Sequence, residues 1–188
     1  MSRLWPAATR PHGRLRLPGH GAAMSTPEPF AADSTPGLSA ITPRLDVLAA
    51  HLGVTSVLVM RSEPDAMVVA ATAGEATWHY TVGAAGKKSG GDAGRVPLYC
   101  ERVVDTDEAL YVRDSRLDPT FAGNEDETEF GLHNYLGVAV HDSQGRVVGT
   151  VCVLDDTARE YSDSERAELD SVRADVEQIV AADTTALG

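Results

Sequence analysis

Nine residues, Val147 to Asp155 (V-V-G-T-V-C-V-L-D), constrain the fold more than any other part of this chain. Successive side chains of an extended strand point to opposite faces. Val147, Gly149, Val151 and Val153 then fall on one face, and Val148, Thr150, Cys152 and Leu154 on the other. Neither set suits water, so the strand is central and covered on both sides. Helices can cover one side. The material large enough to cover the other is the 83–134 region, and a pocket between that cover and the sheet follows.

The neighbouring sequence supplies the rest of such a sheet. Tyr135 to His141 is a strand joined to the nine-residue strand by the turn sequence Asp142-Ser143-Gln144-Gly145. Val54 to Arg61 and Met67 to Ala73 read as a hairpin about Ser62-Glu63-Pro64-Asp65, and Trp78 to Val82 as a third short strand. Leu98 to Asp105 suits a short helix and Leu110 to Val112 a short strand, with an irregular segment from Asp114 to Tyr135. Thr42-Pro43 signals a helix start, with Thr42 as N-cap, Leu45, Leu48, Ala49 and Leu52 at helical spacing and Gly53 as the stop. Ser162 to Glu165 is a capping box ahead of a second long helix. Its stripe Leu169, Val172, Val176 and Ile179 is a core-facing row or, being narrow, a seam between two subunits of a homodimer.

Length permits one domain with a real core. Residues 1–36 stand apart as a polar, Pro-rich extension read as disordered, with Met24 as a second candidate start; the domain proper spans 37–184. The first 23 residues hold four arginines, no acid and no continuous apolar run, a poor secretory signal and too thin a patch for nucleic acid. Residues 24–188 keep twelve basic residues against 28 acids, a net of −16, which repels phosphate backbones. No apolar run is long enough to span a membrane. Cys100 and Cys152 alone make no disulfide framework, which fits a reducing cytoplasm.

The glycine-rich 83–94 stretch reads as a flexible loop. Its Gly86-Lys87-Lys88-Ser89 is no P-loop: Thr81 stands where the first glycine belongs, Lys88 intervenes before Ser89, and no helix begins there. The acidic run Glu125, Asp126, Glu127 and Glu129 has no turn glycine within it and lacks the oxygen spacing of a calcium loop, so it reads as a solvated face and no metal is expected.

Tyr99-Cys100-Glu101, the loop signature Asp114, Asp118-Pro119, Phe121 and Asn124, then Tyr135-Leu136-Gly137-Val138 and the Gly149-Thr150-Val151-Cys152-Val153-Leu154-Asp155 strand resemble the GAF domains of bacterial sensor kinases and cyclic-dinucleotide enzymes. The resemblance covers about 40–182. It implies an α+β fold: a central antiparallel sheet with the N- and C-terminal helices on one face and a loop and short-helix cover enclosing a pocket on the other. It also implies a small-molecule ligand, frequent dimerisation and a signalling partner. The cyclic-nucleotide constellation of that family has no match here, a bilin-attaching cysteine is missing from 101–151, and the two cysteines do not reproduce the spacing of free methionine-sulfoxide reductases.

Trp78, Tyr80, Tyr99, Phe121, Asn124, Phe130, His133 and Tyr135 are the candidate ligand-binding residues, an aromatic and hydrogen-bonding set suited to a small aromatic or heterocyclic molecule. The ligand itself is unnamed by the sequence, and no catalytic residue is assigned. The leading expectation is a stand-alone cytoplasmic sensory domain. The alternatives are a thiol-dependent reductase of a small oxidised metabolite acting through Cys100, and a dimeric interaction module without ligand.

Overall fold

The computed structural model describes residues 37–186, so the expectations for 1–36 and for the start site lie outside it. Six strands form one antiparallel sheet: β1 (Ser56–Ser62), β2 (Ala66–Gly74), β3 (Ala85–Lys87), β4 (Leu110–Val112), β5 (Asn134–His141) and β6 (Val147–Asp155). Their order is β3-β2-β1-β6-β5-β4, which places β6 in the interior of the sheet beside β1 and β5. Helices α1 (Thr42–Leu52) and α4 (Asp163–Ala186) cover one face. Two short helices, α2 (Tyr99–Thr106) and α3 (Glu125–Phe130), cover the other together with loops. The fold is therefore α+β, with the nine-residue strand between two layers of cover.

Each face has its own core. Leu45, Leu48, Leu169, Val172 and Val176 meet Val57, Val59, Val151 and Val153 on the helix face. Leu58, Met67, Tyr99, Val103, Tyr135, Cys152 and Leu154 pack on the opposite face. Two bulges modify simple alternation, because an extra residue reverses the faces beyond it. In β2 the register passes from Val59↔Ala71 to Met60↔Val69, skipping Ala70. Ala71 and Ala73 therefore face the helices while Met67 and Val69 face the short-element cover. In β6 the register skips Val148, so Val148 packs on the helix side and Val147 on the other, the reverse of the expected assignment.

Gly149 lets β1 and β6 approach: a Cβ there would lie 2.0 Å from the Met60 carbonyl oxygen. Gly74, at φ 97°, turns the chain out of β2 against the Thr55 carbonyl. That exit corrects the expected Trp78–Val82 strand. The chain makes a 3-10 turn at Glu75–Trp78 instead, and the strand beside β2 is β3, within the stretch read as a flexible loop.

The helix starts divide. Ser162 accepts from the Glu165 amide and Glu165 from the Ser162 amide, as the capping box requires. Thr42 is not an N-cap. Leu38–Ile41 already form a 3-10 turn that runs into α1, leaving Thr42 within the helix. Gly53 closes α1 in the left-handed conformation.

The stripe on α4 is core. Leu169, Val172 and Val176 are fully buried against the sheet of their own chain, which removes them as a dimer seam; Ile179 packs half-buried beside them. Among the described residues no helix is long and apolar enough to cross a membrane.

Candidate functional site

The face opposite α1 and α4 is covered by pieces too short to seal it. Between them lies a cavity of about 80 Å³. Its floor is Leu58, Met60, Met67, Val69 and Leu154 from β1, β2 and β6, and its walls are His79, Tyr80, Gly86, Leu98, Cys100, Asp126 and Phe130. At roughly 15 Å³ per enclosed water, this is room for about five water-sized units.

The walls are held by a few specific bonds. Tyr80 donates its hydroxyl to the Asp126 carboxylate at 2.6 Å, joining the segment after β2 to α3. Burial pushes Asp126 up to about 6, with Glu125 and Glu129 adding to the rise against the Tyr80 bond. Burial, then the Asp126 charge, likewise raises Tyr80 well above the ordinary phenol range. The Phe130 ring stands 4.5 Å from His79 and 5.2 Å, edge-on, from Tyr80.

Glu101 secures the other wall. Glu101 is 2% exposed, and its carboxylate accepts from the Ser89 amide and hydroxyl, the Gly90 amide and the Leu98 amide. Burial pushes this group up, yet the four bonds outweigh it and hold the carboxyl below its usual range. The glycine-rich stretch is thus tied to the first turn of α2.

The eight sequence candidates divide. Tyr80 and Phe130 line the cavity. Tyr99, Phe121 and Tyr135 lie deeper, with Tyr99 stacked on Tyr135 at 4.8 Å and tilted against Phe121 at 5.1 Å. The Tyr99 hydroxyl is buried and finds no hydrogen-bond partner among the described residues. Asn124 is the N-cap of α3, accepting from the Glu127 amide and donating to the Phe121 carbonyl. His133 is buried and its Nδ1 donates to the Gly131 carbonyl. Trp78 is 72% exposed, its ring against His79.

Two arrangements at this face escape the sequence reading. Asp126 belongs to the run read as solvated, a reading that holds for Glu129 but not for Asp126 or Glu127, since Glu127 accepts from the Ser115 hydroxyl. Cys100 and Cys152, 52 residues apart in sequence, stand with their sulfurs 3.7 Å apart, and Cys100 lines the cavity. No sequence spacing signals either arrangement. Among the described residues no three His, Cys, Asp or Glu side chains gather to hold a metal.

One further contact joins the two faces. His141, at the end of β5, reaches Asp107 just after α2 through Nε2 (2.8 Å) and Glu177 on α4 through Nδ1 (3.0 Å). Both partners only accept, so the arrangement calls for the imidazolium. The Glu177 hydrogen bond, with Asp107 adding, raises the pKa of His141 accordingly.

A family profile for the GAF domain matches residues 36–180. Among solved structures, the GAF domain of an Acinetobacter phosphoenolpyruvate-protein phosphotransferase superposes at TM-score 0.61 and 16% identity, covering 81% of this chain and 86% of that one. Free methionine-R-sulfoxide reductase from Neisseria meningitidis, solved with its substrate, gives 0.61 and 16%, covering 82% and 84%. The phycoerythrobilin-bound GAF domain of a cyanobacterial phytochrome gives 0.62 and 14%, covering 81% and 89%. At such identities the likeness is one of fold. No curated protein matches in sequence.

Proposed function

We infer that this chain, which belongs to the GAF domain family, is a sensory module that holds a small molecule in the cavity and reports its presence through α4 to a protein partner. The observation that carries the reading is the apolar cavity on the short-element face, bounded by the Tyr80–Asp126 bond and backed by the strands that support α4. The His141 contacts with Asp107 and Glu177 supply a route from α2 to α4. A ligand signals only by binding one arrangement of these parts better than another.

The lining narrows the ligand. Its carboxylates are Glu125 and Asp126, and among the described residues no lysine or arginine lines it. Anions are disfavoured there, and a compact apolar body bearing a hydrogen-bond donor or an amine suits it. Amide chemical-shift mapping with a panel of small aromatic amines and their carboxylate counterparts tests this. Saturable shifts at Tyr80, Gly86 and Asp126 with amines, weakened in Phe130→Ala, support the reading. Equal response to carboxylates, or none to either, overturns it.

The thiols favour a second reading, reduction of a small oxidised metabolite by Cys100 from within the cavity. Sulfoxide reduction abolished in Cys100→Ser supports it; no turnover by wild type, or turnover unchanged in the variant, removes it.

A further inference from the structure

We propose that Cys100 and Cys152 form a dithiol oxidised by small hydroperoxides, whose disulfide ties α2 to the central strand β6. This stands independently of any ligand or turnover. The sulfurs lie 3.7 Å apart, against about 2.05 Å in a disulfide, so closure needs a movement of about 1.6 Å. That is a small adjustment for a cysteine in the first turn of an eight-residue helix facing a fixed strand.

The surroundings give the two thiols different parts. Cys100 lines the cavity and a small oxidant reaches it there, whereas Cys152 is fully buried behind it. The Tyr135 hydroxyl donates to the Cys100 sulfur at 3.5 Å. It reaches that point because residue 137 is glycine: a Cβ there would stand 2.1 Å from the hydroxyl oxygen. The Cys152 hydrogen bond is the main influence favouring the Cys100 thiolate, while burial keeps Cys152 protonated. Glu101, adjacent in sequence, accepts from Ser89, Gly90 and Leu98 and so does not oppose the thiolate by direct contact. A pair of small apolar residues would fill the same space, but would not call for a phenol donating to one sulfur.

The chemistry balances. The Cys100 thiolate attacks one peroxide oxygen, the O–O bond breaks, and the departing oxygen takes up the proton Cys100 gave to solvent and leaves as water or alcohol. Cys100 is then a sulfenic acid. Cys152 attacks that sulfur, the S–O bond breaks, and hydroxide leaves with the Cys152 proton as water. The two thiols lose two electrons and two protons, and the peroxide gains both. The product joins β6 to the helix that lines the cavity, so oxidation changes the site's shape.

The test uses the reduced full-length chain with one equivalent of hydrogen peroxide, read by intact mass and by peptide mapping after alkylation in denaturant. The expected result is loss of two hydrogens, a Cys100–Cys152 linked peptide, reversal by a dithiol reductant, and an unfolding midpoint raised on the order of 10 °C. Cys152→Ser is expected to stop at one added oxygen on Cys100, trapped by a 1,3-dione. Two added oxygens on wild-type Cys100 without a linked peptide, or full recovery of both free thiols after an exposure that oxidises a free-thiol peptide, overturns the proposal. The wild-type mass alone decides, so a variant that fails to fold does not leave the question open.

Discussion

The two faces of one sheet are built from alternate residues of the same strands, yet their covers differ in kind. On the helix face, α1 and the 24-residue α4 set a row of leucines and valines against valines and alanines. On the other face the cover is helices of eight and six residues and loops. That face carries both thiols, the stacked tyrosines and the desolvated Asp126 carboxylate. Long regular elements seal apolar surface; short ones must be pinned by individual hydrogen bonds and leave space between them. The comparison teaches that continuous apolar packing is concentrated on one side, and thiols, phenols and a buried carboxylate on the other.

Substitutions that act on one face alone sharpen it. Leu169→Ala, in the middle of the helix face, is expected to lower global stability by ~2–5 kcal/mol in urea unfolding, since it opens a hole between large elements that cannot collapse. Amine-induced shifts at the cavity should persist in whatever fraction stays folded. Glu101→Gln acts on the other face. It removes the charge from four hydrogen bonds, with an expected cost of about 1.5–3 kcal/mol. Its distinguishing sign is faster amide exchange at Ser89 and Gly90 with α4 unchanged.

Asp126 gives a pH test. Its folded pKa, about 6, lies above the ordinary carboxylate value, so its contribution is fully present below about pH 4 and is lost as pH rises through 6. Asp126→Asn should flatten that decline and be more stable than wild type at pH 8 by on the order of 1–2 kcal/mol. A decline unchanged in the variant would assign it elsewhere. His141 has the smallest expected effect because it is partly exposed. Its pKa is raised, so its stabilisation is complete below about 6.5 and fades as pH rises through the raised value. His141→Gln should remove less than about 1 kcal/mol at pH 6 and less still at pH 8.

What was legible in the sequence follows the same division. The capping box at Ser162, the hairpin of β1 and β2 and the bounds of β6 rest on local pattern, and each is readable from a few consecutive residues. The bulges at Ala70 and Val148 are not, because they arise from matching β2 and β6 to partner strands distant in sequence. Thr42 carried a correct boundary signal but the wrong role, since the preceding turn had already begun the helix. On the cavity face, aromatic composition identified the layer. It did not separate Tyr80 and Phe130, which line the space, from Tyr99, Phe121 and Tyr135, which pack beneath it. Asp126 and the thiol pair depend on how α3, α2 and β6 meet, which no short segment encodes.

The central claim is one sheet with a sealed face and a face that opens. Native-state hydrogen exchange on the full chain measures this directly. The account predicts that amides of β3 and α3, including the Leu132 amide bonded to Asp126, exchange through local openings well below the global unfolding free energy. Those of β6 and of α4 around Leu169 and Val172 should exchange only by global unfolding. Protection of α3 and β3 equal to that of α4 would contradict it.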